Sequence, residues 1–218
     1  VRANGVVTTG ADEALRNTGR VTVSGGLVQA DIVNDGSGRV FLRDGRIVGD
    51  VSTGPGALLQ GSGHVQGTVE NSGTVAARAA PVPGGGNLLE IDRLENSDQG
   101  RIEVDEGRHL RIGNGLSNDG HISVDGEFEA AGLINLGTVD LRGRIDVDTL
   151  HNGDSDAGET GSIDMLGGTV GGHLVNRDGS SVTGVGRIEQ DLRNEGLVTV
   201  TSGQGVGNTL RTGRLENR

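Results

Sequence analysis

At 218 residues with a formal net charge of -11, the chain carries nineteen basic residues, all of them Arg and scattered along its length. That balance disfavours nucleic acid and anionic membrane as partners, because phosphates call for a continuous basic face. Gly fills 42 positions while Cys, Trp and Tyr are absent and Phe occurs twice, which excludes a disulfide framework and an aromatic core and leaves Val, Ile, Leu and Ala for the interior.

From the N-terminus, the first clear mark is Leu15-Arg16-Asn17, followed by a Gly-bearing turn and the alternating run Val21-Thr22-Val23. An apolar residue two places before an Asn then returns at Asn34, Asn71, Asn96, Asn118, Asn135, Asn152, Asn176, Asn194 and Asn217. The gaps are 17, 37, 25, 22, 17, 17, 24, 18 and 23 residues, and the long one divides near Thr53 in Asp50-Val51-Ser52-Thr53-Gly54. The mean repeat of about 20 residues marks a solenoid, whose units bury their apolar faces only by stacking on their neighbours.

After each Asn the chain alternates with period two, so successive side chains point to opposite faces of a strand. The pairs Val21 and Val23, Val75 and Ala77, Ile122 and Val124, Val139 and Leu141, and Val198 and Val200 point inward; Val40 and Leu42, Ile102 and Val104, and Val182 and Gly184 arrive two residues later after a longer turn. Thr22, Phe41, Ala76, Glu103, Ser123, Asp140, Thr183 and Thr199 lie between these pairs and are expected to face solvent. A second short strand follows, as in 127–130, 144–147 and 108–112, and the Leu-x-Asn segment closes the coil, giving a roughly triangular section. The prediction is an all-β, single-stranded parallel β-helix continuous over residues 1–218, with about eleven coils at ~4.8 Å per coil and a rod on the order of 50 Å long. Leucine-rich repeats also carry a periodic Asn, but the Leu-x-x-Leu-x-Leu run that precedes it there is missing.

Three stretches interrupt the coil: 77–87, with Pro81, Pro83 and three successive Gly; 152–161; and 202–208. They are expected to leave as surface loops, and the two Pro to lie outside the sheet, where no ladder bond is lost. At the corners, Gly and Asn are expected to tolerate positive φ. The ten Asn are further expected to form a ladder, each amide bonding the next copy along the axis.

Leu-x-Asn-x-Gly-x-Val-x-Val, together with Gly-Ser-Gly-His-Val-Gln-Gly-Thr-Val-Glu-Asn-Ser-Gly-Thr-Val over 61–75, resembles the degenerate repeats of filamentous-haemagglutinin-like and autotransporter passenger proteins. The resemblance covers nearly the whole chain. It implies a right-handed helix and an extracellular, secreted or surface-displayed bacterial shaft or adhesin, with glycans or proteins of a host or cell surface as partners. It transfers no catalytic residue. Because the sequence opens on Val1 and stops inside the phrase at Asn217-Arg218, it reads as a segment of a longer polypeptide.

Few residues suggest chemistry. The five His (His64, His109, His121, His151, His173) fall at different offsets and are read as surface residues. No nucleophile-elbow, zinc-protease or phosphate-loop motif occurs, and no membrane-inserting stretch is visible. Asp140 and Asp164 share an outward offset and support an alternative polysaccharide lyase or hydrolase, which would draw paired acids from successive coils but lacks Trp and Tyr as sugar platforms. Asp154, Asp156 and Glu159 form a calcium candidate, only half matching the EF-hand order. An ice-binding face is disfavoured by the charged, irregular outward column. Self-assembly into filaments, end to end, remains a third reading, because open strand edges can pair with another copy.

Overall fold

The computed structural model describes residues 2–3, 5–10, 13–78, 86–154, 156–201 and 209–218. Among them are 27 strands and no helix, and every strand pairing is parallel. The strands stack as a β-solenoid of about ten turns, roughly 19 residues apart. The expected eleven coils overcount by one, because eleven stacked rows, ten Asn and Thr53, are separated by ten steps.

A regular coil runs His121–Val124, Glu127–Ala130, Leu133–Asn135, and the next one Thr138–Leu141, Arg144–Asp146, Thr149–Asn152. We call these the first, second and third faces. Each strand meets its copy one coil on without a slip, Ile122 opposite Val139, Phe128 opposite Ile145 and Leu133 opposite Leu150. Alternation decides this register: a shift by one residue would turn every inward side chain outward. Elsewhere two or three strands fuse across a corner, as in Leu58–Asn71, which runs through all three faces.

Three columns fill the interior. Val21, Val40, Leu59, Val75, Ile102, Ile122, Val139, Ile163 and Val182 line the first face, each at most 2% exposed. Ile32, Val51, Val69, Leu94, Leu116, Leu133, Leu150, Leu174 and Leu192 line the third in the same way. Branched aliphatics suit such a core, since they match a strand backbone and stack on their own kind at one strand spacing. The single buried large aromatic inside the stack is Phe128.

The outward column of the first face differs from expectation at its N-terminal end. Thr22 is 8% exposed, Phe41 6% and Ala76 fully buried. Phe41 lies under the Arg20 guanidinium, 4.4 Å from the ring centroid, a cation–π contact that keeps water off the ring. Ala76 is one methyl between the longer Gln60 and Glu103 of the adjacent coils and sits below both. At the other end Val198 is only half-buried and Val200 is 45% exposed, because no first-face strand among the described residues lies beyond Leu197–Thr199. Pro81, Pro83 and residues 202–208 lie outside the described residues.

The corners also differ. None of the ladder Asn has positive φ, and each ends a third-face strand. The Gly that follows serves close approach: a Cβ on Gly137 would collide with the backbone carbonyl of Gly120 in the coil before. Replacing Gly137 by Ala is therefore expected to cost about 1–3 kcal/mol in urea denaturation. Gly132→Ala, whose Cβ would stand 3.7 Å from the nearest atom, should stay within about 0.5 kcal/mol.

Candidate functional site

All the third-face strands except Val51–Thr53 end on an Asn, whose amide is buried in every one but the last, and these amides bond along the axis. The side chain of Asn71 donates through Nδ2 to Oδ1 of Asn96 at 2.6 Å, and the same bond repeats through Asn118, Asn135, Asn152, Asn176, Asn194 and Asn217 at 2.6–2.8 Å. A separate bond joins Asn17 to Asn34 at 2.7 Å. The second Nδ2 hydrogen goes to a backbone carbonyl at the following corner, as from Asn152 to Ser181 at 2.9 Å. From Asn34 to Asn176 these side chains are at most 2% exposed, so each bond satisfies groups that would cost about 1–3 kcal/mol apiece if left unpaired.

A second, smaller corner ladder has no mark in the Asn phrase. Asp31 Oδ1 accepts the backbone N–H of Asp50 at 2.8 Å, and Asp50 Oδ1 accepts that of Thr68 at 2.7 Å. The signal was available in the sequence: Asp precedes the apolar residue of the third face in Asp31-Ile32 and Asp50-Val51.

The acidic insertion closes on itself. Asp154 and Glu159 exchange backbone bonds of 2.8 and 3.0 Å, and Asp154 Oδ1 caps the N–H of Asp156 at 2.9 Å. Its carboxylate is thus used to hold the turn, while Asp156 and Glu159 are exposed. Among the described residues no three His, Asp or Glu side chains converge as a cation site.

On the first face Asp140 and Asp164 are register partners in adjacent coils, which sets them about one strand spacing, ~4.8 Å, apart. His121 approaches Asp140 at 3.7 Å and bonds Thr138 Oγ1 at 2.7 Å, and Thr183 Oγ1 lies 3.5 Å from Asp164. Ser162 and Ser181 hydroxyls meet at 3.2 Å. The result is an open stripe of hydroxyls and carboxylates with no apolar wall.

The His pattern exceeds the surface reading. His64 with Asp92 (2.7 Å), His109 with Glu129 (3.2 Å), His121 with Asp140 and His173 with Asp191 (4.0 Å) each face a carboxylate of the next coil. The His109 contact is close enough for an ion pair but off the angle of a hydrogen bond. On the second face Arg111 lies between Glu90 and Glu129, at 3.8 and 3.0 Å. Arg144 bonds Glu189 at 2.8 Å and Asp146 at 3.3 Å; the hydrogen bond to Glu189 is the main cause of its raised pKa, and the same bond lowers that of Glu189. Apart from Asp146, two residues from Arg144, these partners were hidden from sequence spacing, because they sit 18 to 45 residues apart and meet only through the register.

His151 is the exception among the five. Burial, and secondly the Arg177 cation, hold its pKa below the ordinary imidazole value. It stands beside the half-exposed Ile134 in a shallow hollow of about 430 Å³ that Ser117 and Asp148 also line.

Comparison of the chain with protein-family models, with curated proteins and with solved structures finds no match in any of the three.

Two outcomes are expected. Asn135→Leu breaks two axial bonds, leaves one Nδ2 hydrogen of Asn118 and the Oδ1 of Asn152 without their partner, and should cost about 2–4 kcal/mol in urea denaturation, whereas Asp140→Ser, at a half-buried outward position, should change stability by less than about 0.5 kcal/mol. For His151 the fold favours the neutral ring, so the unfolded chain binds the proton more readily. The stability contribution is full above the ordinary value, about 6.5, and is lost as pH falls through it to the lower folded value. Melting curves should therefore show wild type losing more stability than His151→Gln between about pH 7.5 and 5.

Proposed function

We propose that this chain is a non-catalytic β-solenoid shaft, a rigid spacer or adhesive stalk of a secreted or cell-surface protein. The observation that carries the reading is the amide ladder from Asn71 to Asn217: the most regular polar residues of the chain, all but the exposed Asn217 buried, bond to one another, so they serve the length of the rod. Many outward charges are likewise matched to the adjacent coil, as at Glu90, Arg111 and Glu129. A body built this way transmits load along its axis and presents a repeating surface to its sides.

The polar stripe of Thr138, Asp140, Ser162, Asp164, Ser181 and Thr183 favours a hydrated, hydroxyl-rich partner such as a surface glycan over an apolar one. It also supports the competing reading, a polysaccharide-cleaving enzyme, because two carboxylates in adjacent coils can share acid and base roles.

The test is a glycan-array binding screen with and without calcium, run beside an activity screen on acidic polysaccharides. Binding without turnover, or neither, is expected. Cleavage of any polymer that is lost in Asp140→Asn or Asp164→Asn would overturn the shaft reading. Calcium-dependent binding lost in Asp154→Asn and Asp156→Asn would move the site to the acidic loop.

A further inference from the structure

The amide ladder has a gap. In the row between Asn34 and Asn71 the position belongs to Thr53, in register with both. Thr53 is 1% exposed, and its Oγ1 finds no hydrogen-bond partner. On one side of it, Asn34 Nδ2 loses the axial acceptor that its counterparts have and keeps only the carbonyl of Leu58, at 3.1 Å. On the other, Asn71 Oδ1 receives no amide from below and takes the backbone N–H of Gly73 at 3.2 Å instead, as Asn17 takes that of Gly19 at the start of its own rung. Thr53 therefore ends one ladder and Asn71 begins another.

Backbone geometry marks the same place. Asp44, with φ of 54°, is the one non-Gly residue with positive φ among the described residues. It lies one coil before Gly63, and Gly61 and Gly63 run through the strand Leu58–Asn71 at φ of 131° and 133°, a region essentially reserved for Gly. The pairing of Arg39–Val48 with Leu58–Asn71 slips between Arg43 and Gly45. The missing rungs thus fall beside a bulge at Asp44, which slips both against Arg20–Ser24 in the coil before and against Leu58–Asn71 in the coil after; of the shifts along the stack, this is the one that accompanies a break in the amide ladder.

In a solenoid, stability is close to a sum of coil terms and nearest-neighbour interface terms, so weakening one interface lowers the cost of opening there. We propose that the Thr53 gap divides the rod into two cooperative sections, and that the section N-terminal to it, residues 13–53, opens as a unit while the coils from Asn71 onward stay closed. The apolar columns cross the gap without interruption, Val40 to Leu59, Ile47 to Val65 and Val51 to Val69, so the sections remain joined until the N-terminal one opens. Such a seam is a built-in yield point. It places the first response of the shaft to heat or pulling at a defined row.

Native-state hydrogen exchange read by mass spectrometry, on the whole 218-residue chain, tests this. Amides in 13–53 should open together, with a step in protection between 53 and 71 where simple end fraying would give a gradual slope. Thr53→Asn completes the ladder and should raise protection across 13–53 by about tenfold or more, one buried rung's worth, and erase the step. Asn118→Thr cuts the ladder between Asn96 and Asn135 and should create a new step there. A smooth gradient in wild type, a step that survives Thr53→Asn, or no new boundary in Asn118→Thr would each overturn the proposal; should Thr53→Asn fail to fold, wild type and Asn118→Thr still decide it.

Discussion

The structure depends on one constraint: a parallel stack in which every coil meets its copy in register must satisfy the same buried polar group at the same place, coil after coil. An amide is the side chain that can do so indefinitely, because it carries a donor and an acceptor and can use both along one axis. A hydroxyl in the same position can do so only if its neighbours offer matching groups at shorter reach, and Thr53, flanked by Asn34 and Asn71, shows the outcome when they do not. The apolar columns supply most of the driving force. The amides decide which register that force stabilises.

This division of labour explains the composition. With one face of each strand turned to the interior and neighbouring coils about 4.8 Å apart, the corners bring backbone within contact of backbone, and a Cβ at Gly137 has no room. Gly is abundant because the coils are short and their corners many. Large aromatics are scarce for a related reason: the interior is narrow, and one Phe128 sits between Leu110 and Ile145. The surface follows from the same register, which sets Glu90, Arg111 and Glu129, or His121 and Asp140, side by side from coils distant in sequence.

Period-two alternation and the recurring Asn made the fold class and most of the inward columns legible in the sequence, since both are local signals repeated many times. Properties that depend on the neighbouring coil were not. Phe41 and Ala76 alternate like exposed residues, yet the first is covered by Arg20 and the second is overshadowed by Gln60 and Glu103. Of the two properties expected of the Asn, the axial amide bond is present, while positive φ at the corner is not, because each Asn is the last residue of a strand. Of the candidate sites, Asp140 and Asp164 did meet across adjacent coils, while Asp154, Asp156 and Glu159 formed a turn held by one of the three carboxylates. The His partners were unreadable, because no short-range pattern reports which acid lies one coil away.

Every rung of the amide ladder points the same way: Nδ2 toward the C-terminal coil, Oδ1 toward the N-terminal one. Aligned amide dipoles add, as peptide dipoles do in a helix, and each bond polarises the next. The rod is therefore a vector as well as a scaffold. Its Asn217 side ends on a donor amide and its Asn71 run begins on an acceptor, so a coil stacked beyond Asn217 would have to present an oxygen to continue the series, and one laid on in the opposite sense would set donor against donor. Chain direction is thereby written into the interior, independently of the strands that surround it.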